Sequence, residues 1–208
     1  MSKGMLLTLC MLAAACADKP TPITAPDFTI PIVVNQSGGD QEHGARQNRH
    51  WFARMHGSEE VPPRITPASG YATFHVRRDG ETVDYKLYVF DITNVRQSHI
   101  HIGAPTVAGP VVVFLYGPVP AGGGPIEGQI AKGSFTSANF IGPLAGHPMA
   151  DLLAAMKDGL AYVNVHTDDG VAPANTGPGD FPGGEIRGII KARNAKHGDN
   201  HEHEGGDD

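Results

Sequence analysis

The sequence predicts an all-β domain, an antiparallel, Greek-key-like β-sandwich of about eight strands with one short helix. Between residues 50 and 193, short segments of alternating apolar and polar residues are separated by turn signals. The 208 residues include 27 Gly and 17 Pro, which favours many turns between short strands. A single segment has helical instead of alternating periodicity. These three observations are typical of an antiparallel β-domain.

Alternation and turn residues predict each element in chain order. The first strand covers residues 69–77, where Ala72, Phe74 and Val76 share one face. Further strands are predicted over residues 82–92, 97–102, 109–115, 129–136, 160–167 and 185–192. The helix is predicted over residues 148–159, which end in Gly159. Its apolar side chains at helical spacing are Met149, Leu152, Leu153 and Met156.

Residues 1–16 are predicted to be a lipoprotein-type signal peptide. Lys3 precedes an apolar run over residues 5–15, which is too short to span a bilayer, and small residues lead into Cys16. Lipidation of Cys16 would then anchor the mature protein in a membrane. The alternative is an ordinary signal that is cut after Ala17 and gives a secreted soluble protein. Both predict export, to the periplasm or to the cell surface.

The remaining chain divides into three predicted parts. Residues 17–47 are a Pro/Gly-rich linker, residues 48–193 form the domain, and residues 194–208 are a disordered tail rich in histidine and acidic residues. The two cysteines, Cys10 and Cys16, lie at or before the cleavage site, so the mature domain has neither a disulfide nor a thiol nucleophile. The formal net charge of −6 argues against a nucleic-acid partner.

The most informative stretch is Ser-His-Ile-His-Ile-Gly at residues 98–103. On a strand, Ile100 and Ile102 face the core, while His99 and His101 share the opposite face about 7 Å apart. The strand over residues 160–167 places Asn164 on the polar face together with His166 and Tyr162, and the last strand places Glu185 and Arg187 on its polar face.

If these polar faces meet, the three histidines His99, His101 and His166 form a candidate metal site. Neutral imidazoles suit copper or zinc, with a further position left for another ligand. The candidates for a fourth ligand, or for residues that support the ligands, are Glu185, Glu60, Asn164 and Arg187. The competing interpretation is a solvated or hydrogen-bonded polar face without metal, because histidine pairs on strands are common.

The order of six motifs in this chain resembles the chordin-type (CHRD) domain family. The motifs are GSEEVPP at 57–63, SGYA at 69–72, HIHIG at 99–103, GPVVV at 109–113, AYVNVHT at 161–167 and GEIRG at 184–188. The resemblance covers about residues 50–192 and implies an extracytoplasmic β-domain. Because chordin is an extracellular antagonist that binds signalling proteins, the resemblance also implies a candidate protein partner.

The H-x-H strand is similar to that of copper/zinc superoxide dismutases, which is a fold-level analogy and suggests a metal. The chain departs from the usual CHRD pattern between residues 167 and 183, where an insertion adds Asp168, Asp169 and Asp180. Long loops beside a site are places where ligand specificity resides.

Three hypotheses of function therefore stay open. The first is an envelope-tethered domain that binds copper or zinc, and the second is a metal-free binding or adhesion module braced by a histidine network. The third is a hydrolase or redox enzyme that uses the same site. We place it last, because the sequence contains no nucleophile elbow, P-loop or dinucleotide fingerprint.

Overall fold

Nine antiparallel strands form one sheet in the computed structural model, which describes residues 49–193. The strands are β1 (His50–His56), β2 (Ser69–Val76), β3 (Val83–Thr93), β4 (Val95–Ile102), β5 (Val111–Tyr116), β6 (Pro125–Phe135), β7 (Ala161–Thr167), β8 (Ile186–Ile189) and β9 (Lys191–Ala192). The helix α1 spans Met149–Lys157. Their order across the sheet is β5-β4-β7-β8-β1-β2-β3-β6, and β9 pairs with β1.

The sheet curls until its first and last strands, β5 and β6, lie against each other. The Tyr85 hydroxyl of β3 donates a hydrogen bond to the Leu115 carbonyl of β5 across this closure, at 2.7 Å. Register shifts in the β3–β6 and β4–β5 pairs mark the irregularities that allow such bending. The all-β prediction with one helix is confirmed, and in detail the domain is a nearly closed sheet rather than two separate sheets.

One hydrophobic core fills the space inside the curled sheet. Alternate residues of the strands enter it, and Leu87, Ile100 and Val163 are fully buried there. The helix packs against β7 and β9 with Met149, Leu152, Ala155 and Met156 buried. It ends before Gly159, whose φ of 71° is a backbone conformation that favours glycine.

The strand β1 was not among the elements predicted from the sequence. In β1, Trp51, Ala53 and Met55 are buried and alternate with more exposed residues, so the same period-2 signal was present there. The described residues contain no helix that is both long and apolar enough to cross a membrane. The predicted signal peptide, Cys16, the linker and the tail lie outside the described residues.

Three neighbouring strands position the candidate site. β4 pairs with β7, and β7 pairs with β8, both antiparallel. This register places His99 opposite Asn164, His101 opposite Tyr162, and Asn164 in turn opposite Arg187. The side chains of one face of these three strands therefore converge.

Candidate metal centre

The structure brings the three predicted histidines together. The ring centroids of His99 and His166 are 4.9 Å apart, those of His99 and His101 5.5 Å, and those of His101 and His166 5.9 Å. One ring nitrogen from each residue lies within 4.8 Å of the corresponding nitrogens of the other two. Alternation places His99 and His101 on one face of β4, and the pairing of β4 with β7 brings His166 beside them on that face.

Backbone carbonyls fix the orientation of two of the rings. His101 Nδ1 lies 2.9 Å from the Gly109 carbonyl, and His166 Nδ1 lies 2.8 Å from the Pro182 carbonyl. A carbonyl only accepts hydrogen bonds, so both Nδ1 atoms carry the proton and the lone pair of each ring lies on Nε2. The Nε2 atom of His166 faces His99 Nδ1. A ligating histidine commonly donates its other N–H to a carbonyl in this way.

The third ring, that of His99, lies at a distance from His166 that suits two nitrogens bound to one metal ion. His99 Nδ1 is 3.1 Å from His166 Nε2. Two nitrogens bound to one tetrahedral zinc at about 2.0–2.1 Å would be about 3.3 Å apart, so this spacing needs little change. His101 Nε2, which holds the lone pair of its ring, is buried and has no hydrogen-bond partner among the described residues. The donor set therefore fits copper or zinc.

Burial keeps the three imidazoles neutral. His99 is 2% exposed, His101 6% and His166 7%. Burial, aided by the neighbouring His166 and His101, lowers the pKa of His99 to about 3, and burial lowers the pKa of His101 to about 4. The pKa of His166 is also lowered by burial. Neutral imidazoles with available lone pairs are the form that binds a metal ion.

A frame of ring contacts and hydrogen bonds supports His101. The Tyr162 ring stacks on the His101 ring at 4.9 Å, and the guanidinium carbon of Arg187 lies 3.5 Å from the centroid of Tyr162. Arg187, itself 1% exposed, donates to the carbonyls of Ala104 at 3.1 Å and Val107 at 3.0 Å. The loop held by Arg187 also supplies the carbonyl that orients His101. Arg187 therefore positions the loop and the ligand together.

Glu60 and Asn164 form a buried pair beside the histidines. Asn164 Nδ2 donates to Glu60 Oε1 at 2.9 Å and to Oε2 at 3.2 Å. Burial raises the pKa of Glu60 to about 7, although the positive charge of Arg187 opposes this shift. Asn164 Oδ1 is buried without a hydrogen-bond partner in the described part of the chain. The pair is a neighbour of the histidines rather than a member of the three-residue cluster.

The structure does not bring Glu185 to the histidines. Its carboxylate accepts hydrogen bonds from Thr66 Oγ1 at 2.5 Å, Thr167 Oγ1 at 2.6 Å and the backbone N–H of Gly179 at 2.8 Å. Glu185 precedes β8 and follows Gly184, whose φ of +127° interrupts the strand conformation. The Glu185 carboxylate is therefore satisfied by these three donors and is not part of the histidine cluster.

The sequence analysis missed the groups that orient the rings. Tyr162 shares the polar face with Asn164 and His166, so its place was visible in the alternation, but its contact with His101 was not. The carbonyls of Gly109 and Pro182 belong to loops and leave no side-chain signal. Phe114, 45% exposed, packs edge-on against His99 at 4.4 Å and covers it from β5.

Comparison with known families agrees with this architecture. A model of the CHRD domain matches residues 51–190, about two-thirds of the chain. A comparison with curated proteins finds no match. The family match includes all three histidines, Glu60, Asn164 and Arg187. Because the matched region covers well over half of the sequence and all of β2 to β8, the chain belongs to the CHRD domain family.

Proposed function

We propose that this CHRD domain binds one copper or zinc ion through His99, His101 and His166. The observation that carries the proposal is the convergence of three neutral, buried imidazoles, in which the lone pair on His101 Nε2 has no partner among the described residues. A buried acceptor without a donor is costly, and a metal ion would satisfy it. A further ligand would be a water molecule or the carboxylate of Glu60.

The proposed role is metal holding at the cell envelope rather than catalysis. All three ligands are almost fully buried, and Phe114 and the 104–109 loop cover them, which favours retention of an ion over access by a substrate. The signal-like sequence and Cys16 support export and a lipid anchor in a membrane, so we propose an envelope lipoprotein. Membership of the CHRD family is also compatible with a protein partner that binds at the loops.

The test measures the metal content of the full-length protein. The histidines of the tail, His197, His201 and His203, are replaced by Ala in every sample so that they add no metal. After loading with copper or zinc and dialysis, mass spectrometry should find about one ion per chain in this background. The variant His99→Ala/His101→Ala should lose that ion.

The matched control removes two exposed histidines instead. His56→Ala/His147→Ala deletes the same number of imidazoles but leaves the buried cluster intact, so it should keep the ion. Equal metal content in the two double variants, or no metal in the parent, would contradict the proposal. The second result would favour a metal-free network, in which the His99–His166 hydrogen bond braces β4 against β7.

A further inference from the structure

A second group of ligands lies in the segment between β7 and β8. Asp168, Asp169 and Asp180 each place one carboxylate oxygen within 4.8 Å of the other two. Asp168 and Asp169 follow directly after β7, and Asp180 returns to them from the far end of the segment. Oxygens of three ligands on one ion at about 2.4 Å are separated by no more than about 4.8 Å.

Asp180 gives an independent indication that a ligand belongs here. The residue is 3% exposed, yet its Oδ1 atom is buried and accepts no hydrogen bond from the described residues. The other oxygen, Oδ2, accepts from the Thr176 backbone N–H at 2.9 Å and from its hydroxyl at 2.8 Å. One side of the carboxylate is therefore satisfied, and the other side is left for a group that the described residues do not supply.

The charges of the cluster point to a cation. Three carboxylates bring a formal charge of −3, and the Arg96 guanidinium lies 3.5 Å from Asp168 Oδ2. Among residues 49–193, Arg96 is the one cation that forms an ion pair with the cluster, and this leaves most of the charge uncompensated. Like charges at such separations repel, and a divalent ion between the carboxylates would remove the repulsion.

We propose that Asp168, Asp169 and Asp180 form a calcium site. The ligand atoms are all hard oxygens, which select Ca²⁺ or Mg²⁺ over the copper and zinc that suit imidazole. Mg²⁺ is usually held by one or two carboxylates and several waters, whereas Ca²⁺ accepts more protein oxygens in irregular geometry. Three carboxylates on an irregular segment therefore fit Ca²⁺.

A bound calcium ion would stabilise the segment between β7 and β8, which also contacts His166. Asp180 is two residues before Pro182, whose carbonyl orients His166. The site is nevertheless independent of the copper or zinc site, because it uses other residues and another ligand chemistry.

The test titrates the full-length protein with Ca²⁺ by isothermal calorimetry up to about 10 mM, which covers the affinity range of extracellular modules. The wild type should show one saturable site, and Asp180→Asn and Asp169→Asn should weaken binding by about 10-fold or more. Asp158→Asn, an exposed aspartate after α1, is the matched control and should bind like the wild type. The variant His99→Ala/His101→Ala should also keep the calcium site.

Folding of each variant is checked by circular dichroism in chelator. Should Asp180→Asn fail to fold, Asp169→Asn still decides the question, because Asp169 is only half-buried. The proposal is overturned if the wild type does not bind Ca²⁺, or if Asp169→Asn binds it as tightly as Asp158→Asn. In the second case the calcium is held by groups other than this cluster, such as the acidic tail, which is unchanged in both variants.

Discussion

Replacing Glu60 by Gln should make the metal-free protein more sensitive to acid. The buried histidines and Glu60 act in opposite directions as the pH falls. A histidine whose folded pKa lies below its unfolded pKa contributes stability that is present above about pH 6.5 and is lost as the pH falls toward the folded pKa. A carboxyl whose folded pKa is raised contributes stability that is present at low pH and is lost as the pH rises through the folded pKa.

The magnitudes follow from the shifted pKa values. With folded pKa values of about 3 for His99 and about 4 for His101, each loses about 2.5 kcal/mol of stability between about pH 7 and about pH 4.5, or about 5 kcal/mol together. With a folded pKa of about 7, Glu60 regains about 2.5 kcal/mol over the same interval. Glu60 therefore offsets about half of the loss that His99 and His101 together cause.

The assay is urea unfolding in chelator, at about pH 7 and about pH 4.5, for the wild type and Glu60→Gln. The introduced amide would keep an oxygen for Asn164 but does not titrate. The variant should therefore lose about 2.5 kcal/mol more than the wild type between the two pH values. Titrating groups that do not interact with Glu60 cancel in this double difference. The same loss in both proteins would refute the assignment of a raised pKa to Glu60.

Three further substitutions test the packing around the site. Gly184→Ala should destabilise the protein by about 3 kcal/mol in thermal or urea unfolding, because φ there is +127° and the added carbon would approach Glu60 Oε1 to 2.6 Å. Thr167→Val should cost about 2 kcal/mol in the same assay, since it leaves the buried Glu185 carboxylate without one of its donors. Arg187→Lys should weaken copper or zinc binding about 10-fold in a competition titration, because lysine cannot make both loop hydrogen bonds, whereas unchanged affinity would deny Arg187 a positioning role.

Local patterns predicted most of the elements and the members of the histidine cluster. Alternation over residues 97–102 and 160–167 is a short-range signal, so it assigned His99, His101 and His166 to polar faces correctly. Their meeting depends on the pairing of β4 with β7 over a sequence separation of more than 60 residues, which alternation does not encode. The motif order that resembled the CHRD family supplied the missing long-range information.

The features that the sequence did not reveal depend on loops and on sheet closure. The polar face of β4 is buried because the 104–109 loop, Phe114 and Pro182 cover it, and none of these has a periodic signal. The prediction of two packed sheets differed from the nearly closed sheet because bulges and twist, rather than strand number, decide whether a sheet closes.

Resistance of the bound copper or zinc to acid should distinguish the buried site from the histidine-rich tail. Protons and metal ions compete for the same lone pairs, so affinity falls once the pH drops below the pKa of a ligand. An exposed histidine with the ordinary pKa of about 6.5 is about nine-tenths protonated at about pH 5.5, whereas His99 and His101, with pKa values of about 3 and about 4, remain neutral there. Full-length protein that is loaded at about pH 7 and dialysed at about pH 5.5 should therefore keep about one ion per chain, and the His99→Ala/His101→Ala variant should keep almost none. Equal loss from both proteins would mean that the ion is held by exposed histidines, and that the buried cluster stabilises the sheet without metal.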